Sequence, residues 1–269
     1  LPIVIGLVLF GYSFGKPYWR AYRREQIKRQ PFKKEWRNIL HQRMPYFKQM
    51  PVDLQLQLKK HIQVFLAEKH FIGCNGVVIT DEIRITIAAQ ACLLLLNRET
   101  DYYPKLTSIL VYPGAFIKKG LAVNSDGVHF VDKKALSGES WEFGKVVLSW
   151  QDTVDGALVP DDGRNVVIHE FAHQLDQENG RANGAPILHK EQSYQTWSEV
   201  FLTQFERLKQ QAVNGEPSLF DHYGATNPAE FFAVASEVFF EQNQVFYRQF
   251  PELYQQLKQF YRVDPVNWQ

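Results

Sequence analysis

Three residues whose side chains can form a metal site, His169, Glu170 and His173, lie close together in this chain of 269 residues. Their spacing is His-Glu-x-x-His. On an α-helix, residues four apart project from the same face, so both imidazoles can bind one Zn²⁺. Glu170 lies beside them, where it can act as a general base toward a water molecule that the metal activates. Apolar residues within 166–175 give this helix buried surface on its other sides. The stretch therefore predicts a rigid helix that binds zinc for hydrolysis.

A third protein ligand has to come from elsewhere in the chain, because catalytic zinc sites use three protein ligands and keep one position open. The metzincin extension is excluded, since Asp176 and Asn179 stand where that subclass requires Gly and His. The downstream candidates are Glu178, Glu191, Glu199, Glu206, Glu216, Glu230 and Glu237.

Two of these candidates, Glu230 and Glu237, lie on one face of the apolar segment 228–243. An unpaired buried carboxylate there would be costly, and zinc is a suitable partner for it. Glu199 is the rival ligand because it also lies on an amphipathic helix after the motif, although a solvated carboxylate is its simpler interpretation. Asp176 and Glu237 are also candidates to orient a ligand imidazole. A helix-end carboxylate and a buried salt bridge are the respective alternatives.

The elements that must position these residues are mainly helical, with a few short strands before the motif. Besides the motif helix, helices are predicted at 18–30, 32–40, 52–68, 82–97, 193–211, 228–243 and 253–261. Strands are predicted at 71–80, 106–112 and 145–150, and loops at 120–130 and 156–163. Asp81 and Asn227 are the expected N-caps of the helices that follow them. A strand, a loop and then the metal helix is the order expected of a zincin, whose edge strand can bind an extended peptide.

The composition is that of a globular protein with a sizeable core, since 45% of the residues are hydrophobic and 14% are aromatic. The two cysteines, Cys74 and Cys92, are too few for a disulfide framework, and their apolar contexts predict buried free thiols. This cysteine usage fits a reducing compartment. The basic residues carry no zinc-finger or helix-turn-helix pattern, so nucleic acid is not an expected partner.

The N-terminal 31 residues differ in character from the rest of the chain. Residues 1–15 are uncharged and apolar, but fewer than the roughly 20 residues that span a bilayer. Aromatic residues follow, and the segment 16–48 holds eleven Lys/Arg against two Glu, whereas the whole chain carries only +1. This order is typical of the cytoplasmic end of a membrane anchor; an apolar tail packed on the protein is the alternative. We therefore expect an anchor and a basic juxtamembrane helix at 1–31. The peptidase domain is expected at 32–269, with two lobes around the zinc cleft.

Several stretches in their given order resemble the Mlc titration factor A family of bacterial zinc peptidases. They are Gly138-Glu139-Ser140-Trp141, Val147-Leu148-Ser149-Trp150, His169-Glu170-Phe171-Ala172-His173-Gln174-Leu175-Asp176 and Asn227-Pro228-Ala229-Glu230-Phe231-Phe232-Ala233-Val234, and residues 87–92 also fit. The resemblance covers roughly 32–265, and the ordered set is far more specific than His-Glu-x-x-His alone. The apolar tail before Lys16 lies outside it.

This resemblance implies an α+β, zincin-like fold related to the catalytic core of anthrax lethal factor. Such a fold is mainly helical, with a small mixed sheet beside the His-Glu-x-x-His helix. The resemblance also implies that Glu230 is the third zinc ligand and that Tyr223, seven residues earlier, lies near the zinc. The family is cytoplasmic and is known for aminopeptidase activity on small test substrates and, in enteric members, for binding the glucose repressor Mlc.

The predicted function is therefore that of a zinc peptidase with one Zn²⁺ per chain, held by His169, His173 and Glu230. Glu170 is the expected general base, and Tyr223 is the expected hydrogen-bond donor to the developing oxyanion. A core tyrosine with a satisfied hydroxyl is the alternative for Tyr223. The alternative function is a zinc-stabilised protein that sequesters a transcriptional regulator and has weak peptidase activity. Glu170 favours the enzyme, because a structural zinc site needs no base.

Overall fold

The computed structural model describes residues 2–114, 116–123, 129–136, 138–141, 144–159 and 161–268, with side chains described for 15–114, 144–159 and 161–268. The helices are α1 (Pro2–Lys28), α2 (Lys34–Arg43), α3 (Val52–Glu68), α4 (Asp81–Leu93), α5 (Trp150–Leu158), α6 (Val166–Asp176), α7 (Tyr194–Asn214), α8 (Pro228–Glu241), α9 (Asn243–Gln249) and α10 (Pro251–Tyr261). The strands are β1 (His70–Gly73), β2 (Ser108–Tyr112), β3 (Phe116–Val123), β4 (His129–Leu136), β5 (Gly138–Trp141) and β6 (Lys145–Ser149). The predicted α+β class, mainly helical with a small mixed sheet, is confirmed.

The larger sheet has the strand order β1-β2-β6-β5, and β3 pairs with β4 in a separate antiparallel hairpin. Strands β1, β2 and β6 run parallel, with Ile109 opposite Val146, whereas β5 runs antiparallel to β6. Val146, Val147 and Leu148 are all buried, as expected for an inner strand that is covered on both faces. Strand β5 forms one edge of this sheet, and it lies next to α6, the helix that carries His-Glu-x-x-His.

The strand predicted at 71–80 is shorter than expected, because the chain turns back after Gly73. A Cβ atom at Gly73 would lie 1.9 Å from the carbonyl oxygen of Val77, so only glycine fits there. Asn75 and Gly76 both have positive φ angles, as a tight turn requires. The strand therefore ends at Gly73, although apolar residues continue at 77–79.

Both predicted loops contain regular structure. Residues 120–123 and 129–130 belong to β3 and β4, and the loop predicted at 156–163 begins only after α5 ends at Leu158. Gly156 lies within α5, and this helix passes close to the backbone that leads into α6. A Cβ atom at this glycine would lie 2.9 Å from the carbonyl oxygen of Arg164. A helix therefore stands between β6 and the metal helix, where the sequence indicated only a loop.

One of the two predicted helix caps is wrong. Helix α4 is capped by Thr80, whose Oγ1 accepts a hydrogen bond from the Ile83 backbone N–H at 3.3 Å. Asp81 lies in the first turn instead, and its carboxylate accepts a hydrogen bond from Trp36 Nε1 at 2.8 Å. Helix α8 is capped by Asn227, as predicted.

An aromatic core fixes the two helices that meet at the motif. On α6, Phe171 packs against Phe65 and Tyr103, with ring centroids 5.7 and 4.8 Å apart respectively. On α8, Phe232 packs against Trp197 of α7 at 5.9 Å. Full burial of each such ring contributes about 1.5–3 kcal/mol to folding. Both helices are therefore held rigidly from the sides that face away from the motif.

The first helix, α1, continues from Pro2 to Lys28, so it begins well before the basic helix predicted at 18–30. Arg20 and Arg24 attach it to the rest of the protein, since both pair with Glu68 and Asp101. Within the described part of the chain, no helix is both long and apolar enough to cross a membrane.

The cysteines differ from each other in burial. Cys92 is completely buried on α4, as predicted. Cys74 is only partly buried, because it follows β1 at the start of the turn, so the expectation of a buried thiol is wrong there. Both cysteines are free.

Candidate metal centre

The metal helix α6 begins at Val166 because Asn165 caps it. The side-chain Oδ1 of Asn165 accepts a hydrogen bond from the Ile168 backbone N–H at 3.0 Å, which satisfies one of the first-turn donors that lack a helical partner. The helix then places His169 and His173 on one face, with ring centroids 4.8 Å apart. Both imidazoles are mostly buried. The local sequence alone therefore produces a rigid pair of nitrogen ligands.

Helix α8 brings Glu230 to the same point from a later part of the chain. Asn227 caps this helix through a 3.0 Å hydrogen bond from the Glu230 backbone N–H, and Pro228 occupies the first turn. Glu230 Oε2 lies 2.9 Å from His169 Nε2 and 3.2 Å from His173 Nε2. The two nitrogens are 3.2 Å apart. The structure thus brings together the three residues that were predicted as ligands.

This triangle of atoms has the size of one face of a tetrahedral metal site. With metal–ligand bonds of about 2.0–2.1 Å, neighbouring ligand atoms lie about 3.3–3.4 Å apart. The observed separations of 2.9–3.2 Å are slightly smaller. Within the part of the chain that the structure describes, the ligand atoms of His169, His173 and Glu230 lie close enough together to hold one metal ion.

The hydrogen bonding of the triangle also fits a cation. His169 Nδ1 lies 2.7 Å from Glu237 Oε1, a carboxylate acceptor, so Nδ1 carries a proton, and loss of the other ring proton leaves a lone pair on Nε2 for a metal ion. That lone pair faces a second imidazole nitrogen and an oxygen of Glu230. Three electron-pair donors converge here, which is the arrangement that a divalent metal ion requires.

The electrostatics of the cluster favour positive charge at its centre. Burial lowers the pKa of His169, but Glu237 and Glu230 outweigh it and raise this pKa well above its ordinary value. Burial raises the pKa of Glu230, but its hydrogen bonds with His169 and His173 outweigh that effect and hold the pKa far below its ordinary value. A proton shared in this cluster is displaced when a metal binds, because the ligands must be deprotonated.

Glu237 connects the ligand His169 to the start of its own helix. While Oε1 contacts the imidazole, Oε2 accepts a hydrogen bond from the Asn165 backbone N–H at 2.5 Å. Asn165 Nδ2 donates in turn to the Gly156 carbonyl oxygen and to Glu241 Oε1, at 3.2 and 2.9 Å. Burial raises the pKa of Glu241 to about 9, so this side chain is uncharged at neutral pH and adds no negative charge beside Glu237. The contact predicted between Glu237 and a ligand imidazole is therefore present.

We expect Glu237→Gln to weaken metal binding by about 10–100-fold, the usual loss when a group that orients a ligand histidine is changed. The amide keeps the shape of the side chain but loses the charge that stabilises Nδ1–H. Metal affinity is measured by competition with a chelating dye, and the melting temperature of the metal-free protein is recorded beside it. Glu199→Gln, an exposed substitution on α7, is the matched control. Equal affinities for the two variants would contradict the orienting role.

Glu170 and Tyr223 flank the triangle. Glu170 follows His169 on α6 and is buried. Tyr223 lies on a short 3₁₀ helix, His222–Ala225, whose N-cap Asp221 accepts a hydrogen bond from the Tyr223 backbone N–H at 2.8 Å. The Tyr223 and His169 ring centroids are 6.0 Å apart, and Tyr223 is 40% exposed. Tyr223 is therefore beside the site and is not a core tyrosine.

Two other candidates make their hydrogen bonds outside the triangle. Glu199 is exposed on α7, where its carboxylate accepts a hydrogen bond from Gln195 Nε2 at 2.9 Å. Asp176 is buried at the end of α6, but its Oδ2 accepts hydrogen bonds from the backbone N–H groups of Asn183 and Gly184, at 2.8 and 2.7 Å. These bonds fix the following loop, and the Asp176 carboxylate also interacts electrostatically with the ligand His173.

Two polar residues of the site, Asn165 and Glu241, were missed by reasoning from the sequence. Asn165 directly precedes the first apolar residue of α6, which is the usual signal for an N-cap. Glu241 lies one helical turn after Glu237 on the same face of α8, so the spacing of the two carboxylates was visible. Their meeting depends on the packing of α6 against α8, which no local pattern indicates.

The fold and the site together define a metallopeptidase of the zincin type, with a His₂Glu cluster and a further glutamate on the metal helix. Residues 19–262 match the family described as Glucose-regulated metallo-peptidase M90, and the chain belongs to that family. This membership confirms the family resemblance drawn from the motifs.

Similar proteins occur in several bacteria. The chain is 40% identical over 267 residues to an uncharacterized protein of Synechocystis sp. The aligned region covers 99% of this chain and 96% of that relative. It is 31% identical over 235 residues to Mlc titration factor A of Yersinia pestis and of Yersinia pseudotuberculosis, covering 86% of this chain and 85% of those proteins.

Proposed function

We propose that the protein is a zinc-dependent peptidase that removes residues from the N-termini of peptides, with one Zn²⁺ per chain. The observation that carries this proposal is the convergence of His169 Nε2, His173 Nε2 and Glu230 Oε2 within 3.2 Å of one another, beside Glu170. Two imidazoles and one carboxylate are the protein ligands of catalytic zinc in well-known peptidases, where a fourth position stays open. The preference for N-termini rests on the family resemblance.

Each residue of the site has a separate role in the proposed hydrolysis. His169, His173 and Glu230 would hold the zinc ion, which would supply a Lewis acid to polarise the scissile carbonyl and to activate water. The Glu170 carboxylate accepts a proton from the attacking water and delivers it to the nitrogen of the leaving amine. Tyr223 donates a hydrogen bond from its hydroxyl to the substrate oxygen that gains negative charge, an effect commonly worth about 3 kcal/mol. Glu237 holds the Nδ1–H of His169 and so keeps Nε2 aimed at the metal position.

The substrate is a peptide or a protein segment in extended form. Strand β5 is the edge of the sheet next to α6, so its outer backbone can pair with an added strand. Such pairing uses main-chain hydrogen bonds and selects for an extended backbone more than for particular side chains.

A cleavage profile over a peptide library tests the proposal on the zinc-loaded protein. Each peptide is offered with a free and with an acetylated N-terminus, and products are identified by mass. We expect release of N-terminal residues from the free peptides alone. Internal cleavage of acetylated peptides would replace the N-terminal preference with endopeptidase activity. A fully zinc-loaded protein that cleaves no peptide would overturn the enzymatic function.

The second candidate function is the binding of a transcriptional regulator, with weak peptidase activity. It is favoured by the name of the Yersinia relatives, Mlc titration factor A. Binding of a repressor of the Mlc type is measured for the native chain and for Glu170→Gln. Tight binding by both proteins, with peptide hydrolysis near background, would favour this alternative.

We further propose that residues 1–31 associate with the cytoplasmic face of the inner membrane. Residues 32–269 would form the peptidase domain, with two lobes around the zinc cleft. The net basic segment 16–48 supports the membrane association. Complete recovery of the full-length gene product in the soluble fraction at low salt would remove the membrane association.

A further inference from the structure

One face of α1 packs against the rest of the protein. Arg24 lies mostly buried, with its Nε 2.7 Å from Glu68 Oε1 and its Nη1 2.7 Å from Asp101 Oδ1. Its guanidinium also lies over the ring of Tyr102, at 4.6 Å from the centroid. Arg20, one turn earlier, pairs with the same two carboxylates. These contacts fix the rotation of α1 about its own axis.

The opposite side of α1 carries exposed aromatic rings. Tyr18 and Tyr22 are 80% and 64% exposed, and their spacing of four residues places them on one face of the helix. Trp19 is 63% exposed on an adjoining face. The guanidinium of Arg23, four residues later, lies 5.6 Å from the Trp19 ring centroid. Large aromatic side chains and a cation thus share one exposed surface.

A cavity of about 320 Å³ adjoins this surface, between α1 and the start of α2. Its lining residues carry three cations and several apolar groups, and none of them is acidic. Arg84 is held in place by Asp81, whereas Lys33 lies 4.7 Å from the Trp36 ring centroid and Arg23 lies at the cavity's α1 side. Such a lining suits a negatively charged group that carries an apolar portion.

These observations fit one kind of partner. Interfacial aromatic residues next to Lys and Arg hold an amphipathic helix on an anionic bilayer, and residues 1–15 of the same chain are apolar. A nucleic acid would use the cations but not the apolar segment. We propose that the exposed face of α1, together with the cavity beside α2, docks on the anionic lipid headgroups of a membrane leaflet. This adds a lipid class and a binding surface to the proposed function, on whose cytoplasmic location it rests.

Cosedimentation of the full chain with vesicles tests this docking. Vesicles of phosphatidylcholine alone are compared with vesicles that also contain phosphatidylserine, at low and at high salt. We expect tighter binding to the mixed vesicles, with the difference lost as salt rises, because salt screens the surface charge. Arg23→Gln combined with Lys33→Gln should weaken binding to the mixed vesicles by about 25-fold, since each basic group near the surface contributes about fivefold.

Two further variants separate charge from aromatic contact. Tyr18→Ser combined with Tyr22→Ser should weaken binding to both kinds of vesicle. Lys190→Gln combined with Arg248→Gln removes two exposed charges outside this surface and should bind like the native chain.

Several results would overturn the docking proposal. One is equal binding of the native chain to both kinds of vesicle. Another is an equal loss of vesicle binding in the Arg23/Lys33 variant and in the Lys190/Arg248 control. A third is tighter binding to duplex DNA than to the mixed vesicles. Displacement by inorganic phosphate beyond that of chloride at equal ionic strength would mean that the cavity binds a free anion instead. Peptide hydrolysis without vesicles is measured for every variant and should stay unchanged. Failure of docking is thereby distinguished from failure of the peptidase function.

Discussion

Glu170→Gln should reduce kcat for peptide hydrolysis by about 10²–10⁴-fold while the protein keeps its metal. The amide has nearly the same volume as the carboxylate, so the buried position on α6 is preserved. It cannot accept the proton of the attacking water, so the base is lost while the ligands His169, His173 and Glu230 remain. Metal content by elemental analysis and steady-state kinetics on one peptide check both halves of this expectation.

Tyr223→Phe is the informative contrast to Glu170→Gln. It removes only a hydroxyl from a partly exposed ring beside His169, so folding and metal content should be unchanged. If the hydroxyl contacts the oxyanion only in the transition state, kcat should fall by about 10²–10³-fold with little change in KM. A native kcat for this variant would remove Tyr223 from the mechanism. A native kcat for Glu170→Gln would remove the general base.

Glu230→Ala should abolish stable metal binding and, with it, peptide hydrolysis. Its Oε2 lies within 3.2 Å of the Nε2 atoms of both His169 and His173. The substitution leaves two nitrogens, which is one protein ligand fewer than a catalytic zinc site uses. The bound metal is counted per chain after dialysis against a buffer without metal.

Glu199→Ala is the matched control, because Glu199 was the rival ligand and lies exposed on α7. This variant should keep one metal ion per chain and native hydrolysis. Full metal retention by Glu230→Ala together with metal loss by Glu199→Ala would exchange the two assignments.

The parts of the site that could be predicted are those set by neighbouring residues. The spacing of His169 and His173 on a helix is a local property, and so is the start of α8 at Asn227 and Pro228. The helix could be selected because carboxylates within so apolar a segment need a partner, whereas the choice of Glu230 over Glu237 came from the family resemblance. The structure places these side chains together as expected.

The parts that could not be predicted depend on contacts between distant segments. Asn165 meets Glu237 across 72 positions of sequence, and only the packing of α6 against α8 brings them together. The need for glycine at position 156 depends likewise on the backbone at Arg164, whose carbonyl oxygen would lie 2.9 Å from an added Cβ atom. Glycine and short apolar runs have more than one local interpretation, and tertiary contacts decide between them.

Because His169 and Glu230 are distant in the sequence, a bound metal ion would also affect the stability of the fold. The two ligands lie 61 residues apart, so an ion held between them acts as a reversible cross-link that closes a long loop. A covalent link that closes a loop of this length would lower the entropy of the unfolded chain and so stabilise the folded protein by about 4 kcal/mol. Because α8 supplies both Glu230 and Glu237, separation of α8 from α6 withdraws a ligand and the support of His169 in one movement. Binding of the ion should therefore stabilise the docking of these two helices.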